Sequence, residues 1–327
     1  MPAQSNTPLK GPGKSAKSYL IRKGRLHPVW RASLYLVAYL VLAFAAQFAL
    51  VSAWLTLNLF QGQSVEEVLS YTQANLMSLP VLLASSVIQA VLVIGLTVFF
   101  RRVIDRRPFR ELGFETPTGW ISEVLMGLAL GFGAMLLIFA LEWAAGLAHV
   151  RVTSASVADA AVRLGGAAAM YLAVGMTEEL MFRGYLLQTL REWPGVIAAV
   201  LVTSCVFGLL HACNPNVSPV ALAYLVLAGL VFAYAYLVTG RLWWPIAMHF
   251  SWNFFQGPVF GFPVSGLPAD GLLVVESVGP AWLTGGDFGP EAGLVGLAAL
   301  GLIAAAIWAW SRVYRMNRPD YGLPADS

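Results

Sequence analysis

The chain has 327 residues, of which 58% are hydrophobic and only 11% are charged. This composition excludes an ordinary soluble domain and is typical of proteins embedded in a membrane. The net charge of +3 says little about partners because the charges are unevenly spread, and we expect no nucleic-acid partner. Cys205 and Cys213 lie ~12 Å apart along one predicted helix, too far for a disulfide.

The predicted fold class is an all-α polytopic membrane protein with eight transmembrane helices. Residues 1–32 form a basic arm that we expect at an anionic leaflet surface on the cytoplasmic side, residues 33–311 a membrane-embedded helical domain, and residues 312–327 a short cytoplasmic tail. The apolar segments that are long enough to span are 33–60, 77–100, 120–147, 164–190, 195–212, 219–239, 242–258 and 292–311.

The basic residues indicate how these spans are oriented. Seventeen of the 20 Lys and Arg residues fall in the N-terminal arm, after the second, fourth and sixth spans, or after the eighth. Arg151 and Arg163 lie on the opposite side, and Arg183 lies within a span. Because cytoplasmic connections carry an excess of Lys and Arg, both termini are predicted to be cytoplasmic.

The remaining connections and small residues receive structural interpretations. The connection 257–291 is long and rich in Gly and Pro, which predicts an external loop with a strand-like piece at 272–275. No chemistry is evident in this loop. The spacing of Gly127 and Gly131 is typical of close helix packing.

Several polar or aromatic residues outside the main motifs are expected to have no functional role. Trp243 and Trp244 are interpreted as anchors at the membrane interface. Glu142 lies close to the outer end of its span and is predicted to be interfacial. His27 lies in the basic arm and His149 at an external helix end, so both are interpreted as incidental.

The fourth span carries charges that a membrane helix does not normally tolerate. Glu178, Glu179 and Arg183 follow an almost wholly apolar run at 167–176. Ionisable side chains within a bilayer are costly and normally face a bundle interior or a water-filled cavity, where they mark function. The alternative is a solvated helix end, which the apolar residues on both sides argue against.

Two later spans contribute further polar side chains. His211 lies in the fifth span, four residues after Phe207, and His249 and Asn253 have the same spacing in the seventh. Residues four apart share one face of a helix. Taken alone, His211 is most simply interpreted as a buried histidine bonded to a backbone carbonyl. Taken alone, His249 and Asn253 are interpreted as a polar contact between helices. Their joint occurrence favours a site.

Distances along the helices predict which of these residues can meet. Counted from the turn at Pro194, Glu178 and His211 both lie ~24–26 Å along their helices, so they are expected at similar depth. His249 is only eight positions past Arg241 and is predicted to be shallower, so that Asn253 fits the common depth better. A tilted helix or a deep turn would be needed to bring His249 level.

Spacing also predicts a division of roles between the two carboxylates. Glu179 and Arg183 are four residues apart, as in an ion pair along a helix. Glu178 points about 100° away and is left without that partner, so it is the carboxylate suited to act as a general base. Neutral histidine and asparagine side chains can donate hydrogen bonds to a developing oxyanion. Together these groups predict hydrolysis of an amide.

A metal ion is an open alternative for this site. Glu178, His211 and His249 could hold one zinc ion with an open coordination position. However, the sequence contains no H-E-x-x-H helix, and Asn253 stands where another strong ligand would be needed. A metal-free site fits at least as well, and we expect no cofactor to be required.

The ordered motifs E-E-x-x-x-R, F-x-x-x-H and H-x-x-x-N resemble the CPBP family, the type II CAAX prenyl endopeptidases and bacteriocin-processing proteins also called the Abi family. The resemblance covers residues 160–255, and no single motif is specific. The matching positions are Glu178, Glu179, Arg183, Phe207, His211, His249 and Asn253.

This resemblance implies an eight-helix intramembrane protease whose cavity opens toward the cytoplasmic leaflet. It implies that Glu178 activates water with help from His211, and that His249 and Asn253 form the oxyanion site. The residues at Glu179, Arg183 and Phe207 then support the site. The family's substrate does not carry over to this chain; the predicted substrate is a membrane-associated or lipid-modified polypeptide, and the expected location is a bacterial cytoplasmic membrane.

Two other classes of function compete with this one. A catalytically idle membrane scaffold or immunity protein of the same fold would gain nothing from burying the four polar residues. A proton-coupled transporter could use Glu178 and Glu179 as relay groups, but it predicts two related halves, and the sequence shows no internal repeat.

Overall fold

The structure, a computed structural model, describes residues 20–22 and 24–317, with side chains up to Val313. The protein is 74% helical, and its described residues form no closed sheet. Most of the predicted arm at 1–32 and the end of the predicted tail at 312–327 therefore lie outside the described residues.

Eleven helices follow one another along the described chain. They are α1 (Pro28–Phe60), α2 (Val65–Asn75), α3 (Leu79–Phe99), α4 (Trp120–Ala144), α5 (Val157–Glu179), α6 (Leu187–Leu190), α7 (Val196–Leu210), α8 (Pro219–Thr239), α9 (Trp243–Phe254), α10 (Ala281–Thr284) and α11 (Leu294–Asn317). The strands are β1 (Ile21–Arg22), β2 (Arg25–Leu26), β3 (Ala148–Val152) and β4 (Leu273–Ser277).

Within the described residues, six helical segments are long and apolar enough to cross a membrane, so the protein is an integral membrane protein of helical type. They are Pro28–Phe60, Leu79–Ile104, Trp120–Ala144, Val157–Leu190, Pro219–Thr239 and Leu294–Val313. The other two predicted spans form shorter helices, α7 with 15 residues and α9 with 12. Helix α7 ends early because Asn214 and Pro215 follow it, and α9 is bounded by Gly240 and Pro258.

Three helices continue into π-helical turns, in which the backbone hydrogen bond spans one residue more than in an α-helix. These turns are Phe100–Ile104 after α3, Leu180–Leu186 after α5 and Phe255–Val259 after α9. Insertions of this kind often occur at functional sites. The second of them begins immediately after Glu179, so the charged motif lies where the helix widens.

Helices α4 and α9 pack closely in the centre of the protein. A Cβ atom at Gly127 would lie 2.6 Å from the carbonyl oxygen of Trp244, and one at Gly131 would lie 2.7 Å from Cβ of Ser251. Neither position has room for a larger side chain, so the prediction of close packing from the glycine spacing is confirmed. The hydroxyl of Ser251 also donates to the carbonyl of Leu128 at 2.7 Å.

One end of the helix bundle is held together by buried ion pairs. Arg31, almost fully buried, contacts the carboxylates of both Asp105 and Glu192, and Arg241 is paired with Glu123. These pairs join α1 to the ends of α3 and α6, and α4 to the α8–α9 turn. We call this end the basic face.

The opposite end is built from connections, and we call it the loop face. It comprises residues 145–156, 211–218 and 260–293, in which β3 and β4 pair in antiparallel fashion. The side-chain amide of Asn214 donates to the carbonyl of Ser265 at 2.8 Å and so links two of these connections. Strand β4 confirms the predicted strand-like piece, whereas β3 was not expected.

Two expectations about the membrane interface are wrong. Trp244 is completely buried and packs against Trp310, with 4.7 Å between ring centroids, because α9 begins inside the protein and not at its surface. Glu142 is also completely buried, since the connections of the loop face cover the end of α4. Trp243, by contrast, is only half-buried, and its indole N–H donates to the carbonyl of Glu115 at 2.8 Å.

Candidate active site

Arg183 and Glu179 form a buried ion pair, as their spacing predicts. Nη1 of Arg183 lies 2.8 Å from Oε1 of Glu179, and Nη2 donates to the carbonyl of Gly229 at 2.9 Å. The guanidinium carbon lies over the rings of Phe207 and Phe232, 4.8 and 5.2 Å from their centroids. Cation–π contacts of this kind are strongest where water is excluded. One side chain therefore connects α5, α7 and α8.

His249 is held against this ion pair. Its Nδ1 lies 2.9 Å from Oε1 of Glu179, and its ring stacks on Phe232 with centroids 4.8 Å apart. On the other side of the ring, Nε2 lies 3.7 Å from Oε2 of Glu178, beyond direct hydrogen-bond length. The imidazole therefore lies between the two carboxylates.

His249 lies level with the glutamates and not shallower, because the turn before α9 is deep. The count assumed that Arg241 marks the membrane surface, but Arg241 is buried and paired with Glu123. The next residue, Leu242, donates its backbone N–H to the carbonyl of Gly113 at 3.0 Å. The α8–α9 turn therefore lies inside the protein, and eight residues are enough to bring His249 level with the site.

Glu178 is placed differently from its neighbour in the sequence. Its side chain is 23% exposed, whereas that of Glu179 is fully buried. Oε2 of Glu178 is inaccessible to solvent and has no hydrogen-bond partner among the described residues. Glu178 lines a cavity, and Glu179 does not. The two carboxylates thus occupy separate environments.

His211 ends helix α7 and faces the same cavity. Its Nδ1 lies 2.8 Å from the carbonyl oxygen of Phe207, one turn earlier. Because a carbonyl only accepts, Nδ1 carries the proton, and Nε2 of the neutral ring keeps its lone pair. The bond to a backbone carbonyl matches the simpler interpretation of this histidine. However, the ring is only half-buried and is a wall of the cavity.

The cavity has a volume of about 400 Å³. The four candidate catalytic residues Glu178, His211, His249 and Asn253 all line it. Its walls come from α1, α3, α5, α7, α8 and α9 and from the loop that follows α9. A cavity of this size accommodates a short stretch of polypeptide. The predicted residues from three separate helices therefore face one space.

The structure adds a carboxylate that the sequence gave no reason to choose. Glu291 lines the cavity, is almost fully buried, and accepts hydrogen bonds from the backbone N–H and the hydroxyl of Ser265, at 2.6 and 2.8 Å. Burial raises the pKa of this carboxyl group, and the hydrogen bonds from Ser265 partly oppose that shift. Glu291 lies in a Gly- and Pro-rich loop that has no hydrophobic periodicity, so no sequence pattern singles it out.

The described side chains do not assemble a metal site. Nowhere in residues 20–22 and 24–313 do three His, Cys, Asp or Glu side chains converge as ligands for one ion. Glu178, His211 and His249 face the same cavity, and Nδ1 of each histidine is bonded to a neighbouring oxygen, a bond that metal-ligating histidines also make. The zinc alternative therefore stays a prediction, which the effect of a chelator on activity tests.

Comparison with known proteins identifies the region that carries this cavity. Residues 160–255 match the family model described as type II CAAX prenyl endopeptidase Rce1-like. No curated protein matches the chain. The matched stretch includes the whole of α7 and α8 and all four candidate catalytic residues. The similarity of this integral membrane protein to the Rce1-like type II CAAX prenyl endopeptidases thus rests on residues 160–255, and it agrees with the resemblance of the ordered motifs.

Proposed function

We propose that this protein is an intramembrane endopeptidase that hydrolyses a peptide bond of a membrane-associated or lipid-modified polypeptide. The family match supports a protease of the CAAX type. The observation that carries the proposal is the convergence of Glu178, His211, His249 and Asn253 on one cavity. A carboxylate oxygen without a partner, two imidazoles and an amide are the groups that peptide hydrolysis needs.

Glu178 acts as the general base in this proposal. Its carboxylate takes a proton from a water molecule in the cavity, and the resulting hydroxide attacks the carbonyl carbon of the scissile bond. Nε2 of His211 accepts a hydrogen bond from the same water and holds it in position. The proton on Glu178 then passes to the departing amine, so that the carboxylate is regenerated.

His249 and Asn253 stabilise the oxyanion of the tetrahedral intermediate. Because the Glu179 carboxylate accepts the hydrogen bond from Nδ1, Nε2 of His249 donates only when the ring is protonated. Glu178 and Glu179 on either side compensate that charge. The amide N–H of Asn253 is the second donor. Two fixed donors at a developing oxyanion contribute several kcal/mol, on the order of 2.7–4 for each donor.

Arg183, Glu179 and Phe207 support these residues from outside the cavity. The guanidinium neutralises the carboxylate that orients His249, and the ring of Phe207 packs against the guanidinium. The carbonyl of Phe207 in turn orients His211. We propose a reaction that requires no cofactor, in which the residues alone activate the water; the zinc alternative predicts loss of activity with a chelator.

We also propose the setting in which the protein acts. All eight apolar segments lie within a bacterial cytoplasmic membrane, with both termini on the cytoplasmic side, since the basic residues concentrate there. The partners are the lipid bilayer and a polypeptide substrate. The resemblance also implies a cavity that opens toward the cytoplasm, and in the present fold this opening conflicts with cytoplasmic termini.

The test compares the N-termini of membrane proteins in cells that make the intact protein or Glu178→Ala at equal abundance. New termini that appear only with the intact protein are expected, and they identify the substrate. Glu66→Ala, which removes an exposed carboxylate from α2, is the matched control and should behave as the intact protein. Identical termini in all three would favour an idle scaffold or immunity protein.

A further inference from the structure

We propose that the cavity receives its substrate from the extracytoplasmic face of the membrane, and that this substrate is a neutral or cationic internal segment of a polypeptide. The inference rests on the proposed function, because it names the substrate class of the same site. It follows from where the cavity opens and from which charges line it.

The cavity reaches the surface at the loop face. Its exposed lining residues are Met77 before α3, Leu210 at the end of α7, and Pro268 and Asp270 in the loop after α9. Asn214, in the connection after α7, lines it as well. Among the described residues, none from the connections of the basic face contributes to the lining. A polypeptide therefore reaches Glu178 past the loop face.

The loop face is the side with few basic residues. Its described residues include one arginine, Arg151, and Arg163 lies beside it in the first turns of α5. The basic face carries the described arginines of the arm, of the connection after α3, and of the turns after α6 and α8. Sequence alone adds the lysines of the arm to the basic face. By the positive-inside rule the basic face is cytoplasmic. The mouth of the cavity is then extracytoplasmic.

Cytoplasmic termini and a cytoplasmic cavity cannot both hold in this fold, because they require opposite faces to be cytoplasmic. The charge distribution is a property of this chain, with seventeen basic residues against two. The cytoplasmic opening comes from the resemblance alone. We therefore retain the orientation set by the charges.

The lining of the cavity indicates what kind of segment it accepts. Three carboxylates, those of Glu178, Asp270 and Glu291, line it, and among the described residues no Lys or Arg does. Arg163 lies beside the mouth, but its guanidinium is paired with Asp270 at 2.5 Å. A free C-terminal carboxylate near the scissile bond thus finds no Lys or Arg free to pair with it, and it meets the like charge of Glu178. An internal segment, neutral or carrying Lys or Arg, avoids this repulsion.

The two native cysteines make the orientation testable. Cys213 is exposed in the connection after α7, next to Asn214 at the cavity, and Cys205 is exposed on the apolar surface of α7. In intact cells, a membrane-impermeant maleimide should label the Cys205→Ala variant at Cys213 and leave Cys213→Ala unlabelled. As a reporter of the basic face, Thr116→Cys in a cysteine-free background should be labelled only after permeabilisation, since Thr116 is exposed between α3 and α4.

The reverse pattern, with Thr116→Cys labelled in intact cells and Cys213 protected, would overturn the extracytoplasmic opening. This readout does not depend on activity. A labelling pattern that agrees with the proposal, together with unchanged termini in the Glu178→Ala comparison, would therefore contradict the proposed function while leaving the orientation in place.

The substrate class is tested with the purified protein and quenched fluorescent peptides of one apolar sequence. The peptides carry two Lys or two Glu residues around the centre, each with a free or an amidated C-terminus. We expect kcat/KM to be about tenfold higher for the Lys peptides, because like charges in a desolvated cavity are costly. We expect no gain from a free C-terminus. Faster cleavage of Glu peptides, or a requirement for the free carboxylate, would overturn the substrate class.

Discussion

Arg183 is the residue whose loss should cost the most stability. It is the buried cation that compensates Glu179, and its removal leaves that carboxylate charged and without its partner inside the protein. We expect Arg183→Ala to lower the free energy of unfolding by about 3–5 kcal/mol. Denaturant unfolding of the purified protein in detergent measures this. Arg163→Ala, which breaks an exposed pair, is the control and should cost less than about 1 kcal/mol.

Glu178 and His211 should behave in the opposite way. Both side chains face the cavity and are partly exposed, so that few packing contacts depend on them. We expect Glu178→Ala and His211→Ala to abolish cleavage while the unfolding midpoint stays close to that of the intact protein. Comparing unfolding curves with cleavage rates separates the two effects. Loss of folding equal to that of Arg183→Ala would contradict the division of roles.

Glu291 should make the stability of the loop face depend on pH. Burial raises the pKa of this carboxyl above its unfolded value, although Ser265 and the nearby His211 and His249 oppose the shift. Its contribution to stability is therefore complete below the unfolded pKa and is lost as pH rises through the folded pKa. Glu291→Gln keeps an acceptor for Ser265 but does not titrate. Thermal unfolding should show a smaller loss of stability with rising pH in the variant than in the intact protein; parallel pH profiles would show that Glu291 contributes nothing.

At the scale of elements, the close contact between α4 and α9 depends on glycines, which have no side chain. A methyl group at Gly131 would overlap Ser251 and the backbone of Trp252, whereas a methyl group at Gly133 would meet nothing within 4 Å. We expect Gly131→Ala to destabilise the protein by about 1–3 kcal/mol through overpacking. Gly133→Ala should be neutral or stabilising by up to about 1 kcal/mol, since alanine favours a helix. Equal unfolding midpoints for both variants would show that the helices can separate freely.

Sequence predicts the long helices and misses the elements whose form depends on distant partners. Apolar length alone locates the six long spans. Helix α9 is short and deep because Arg241, at its start, is buried by a pair with Glu123, 118 positions away in the chain. No local pattern predicts such a contact, and for this reason the expected depth of His249 was wrong. Strand β3 was missed for a related reason, since its partner β4 lies far away in the sequence.

The candidate site was more predictable than its surroundings. Glu179 and Arg183 lie four residues apart, and a helix fixes their contact locally. Glu178 and His211 were placed at one depth by counting along two helices joined by a short turn. Glu291 could not be found in this way, because it reaches the cavity through an irregular loop in which residue spacing does not determine direction.

For the whole molecule, the two ends of the bundle are built by different means. The basic face is fixed by buried side-chain ion pairs, and the loop face by backbone pairing between β3 and β4 and by loop hydrogen bonds. The sequence shows which connections are basic, but not which of them border the cavity. Only the tertiary arrangement answers that question, and it places the exposed lining residues at the loop face or directly beside it.

The ion pairs of Arg31 have a consequence for biosynthesis. Arg31 begins the first helix, but its partners Asp105 and Glu192 come 74 and 161 positions later in the chain. While the ribosome is still making the intervening helices, neither pair can exist, and Arg31 must remain near water or lipid headgroups. Helix α1 therefore completes its buried ion pairs only after the chain has been synthesised beyond Glu192. Although α1 comes before the other helices listed here, it is not the first of them to reach its final position.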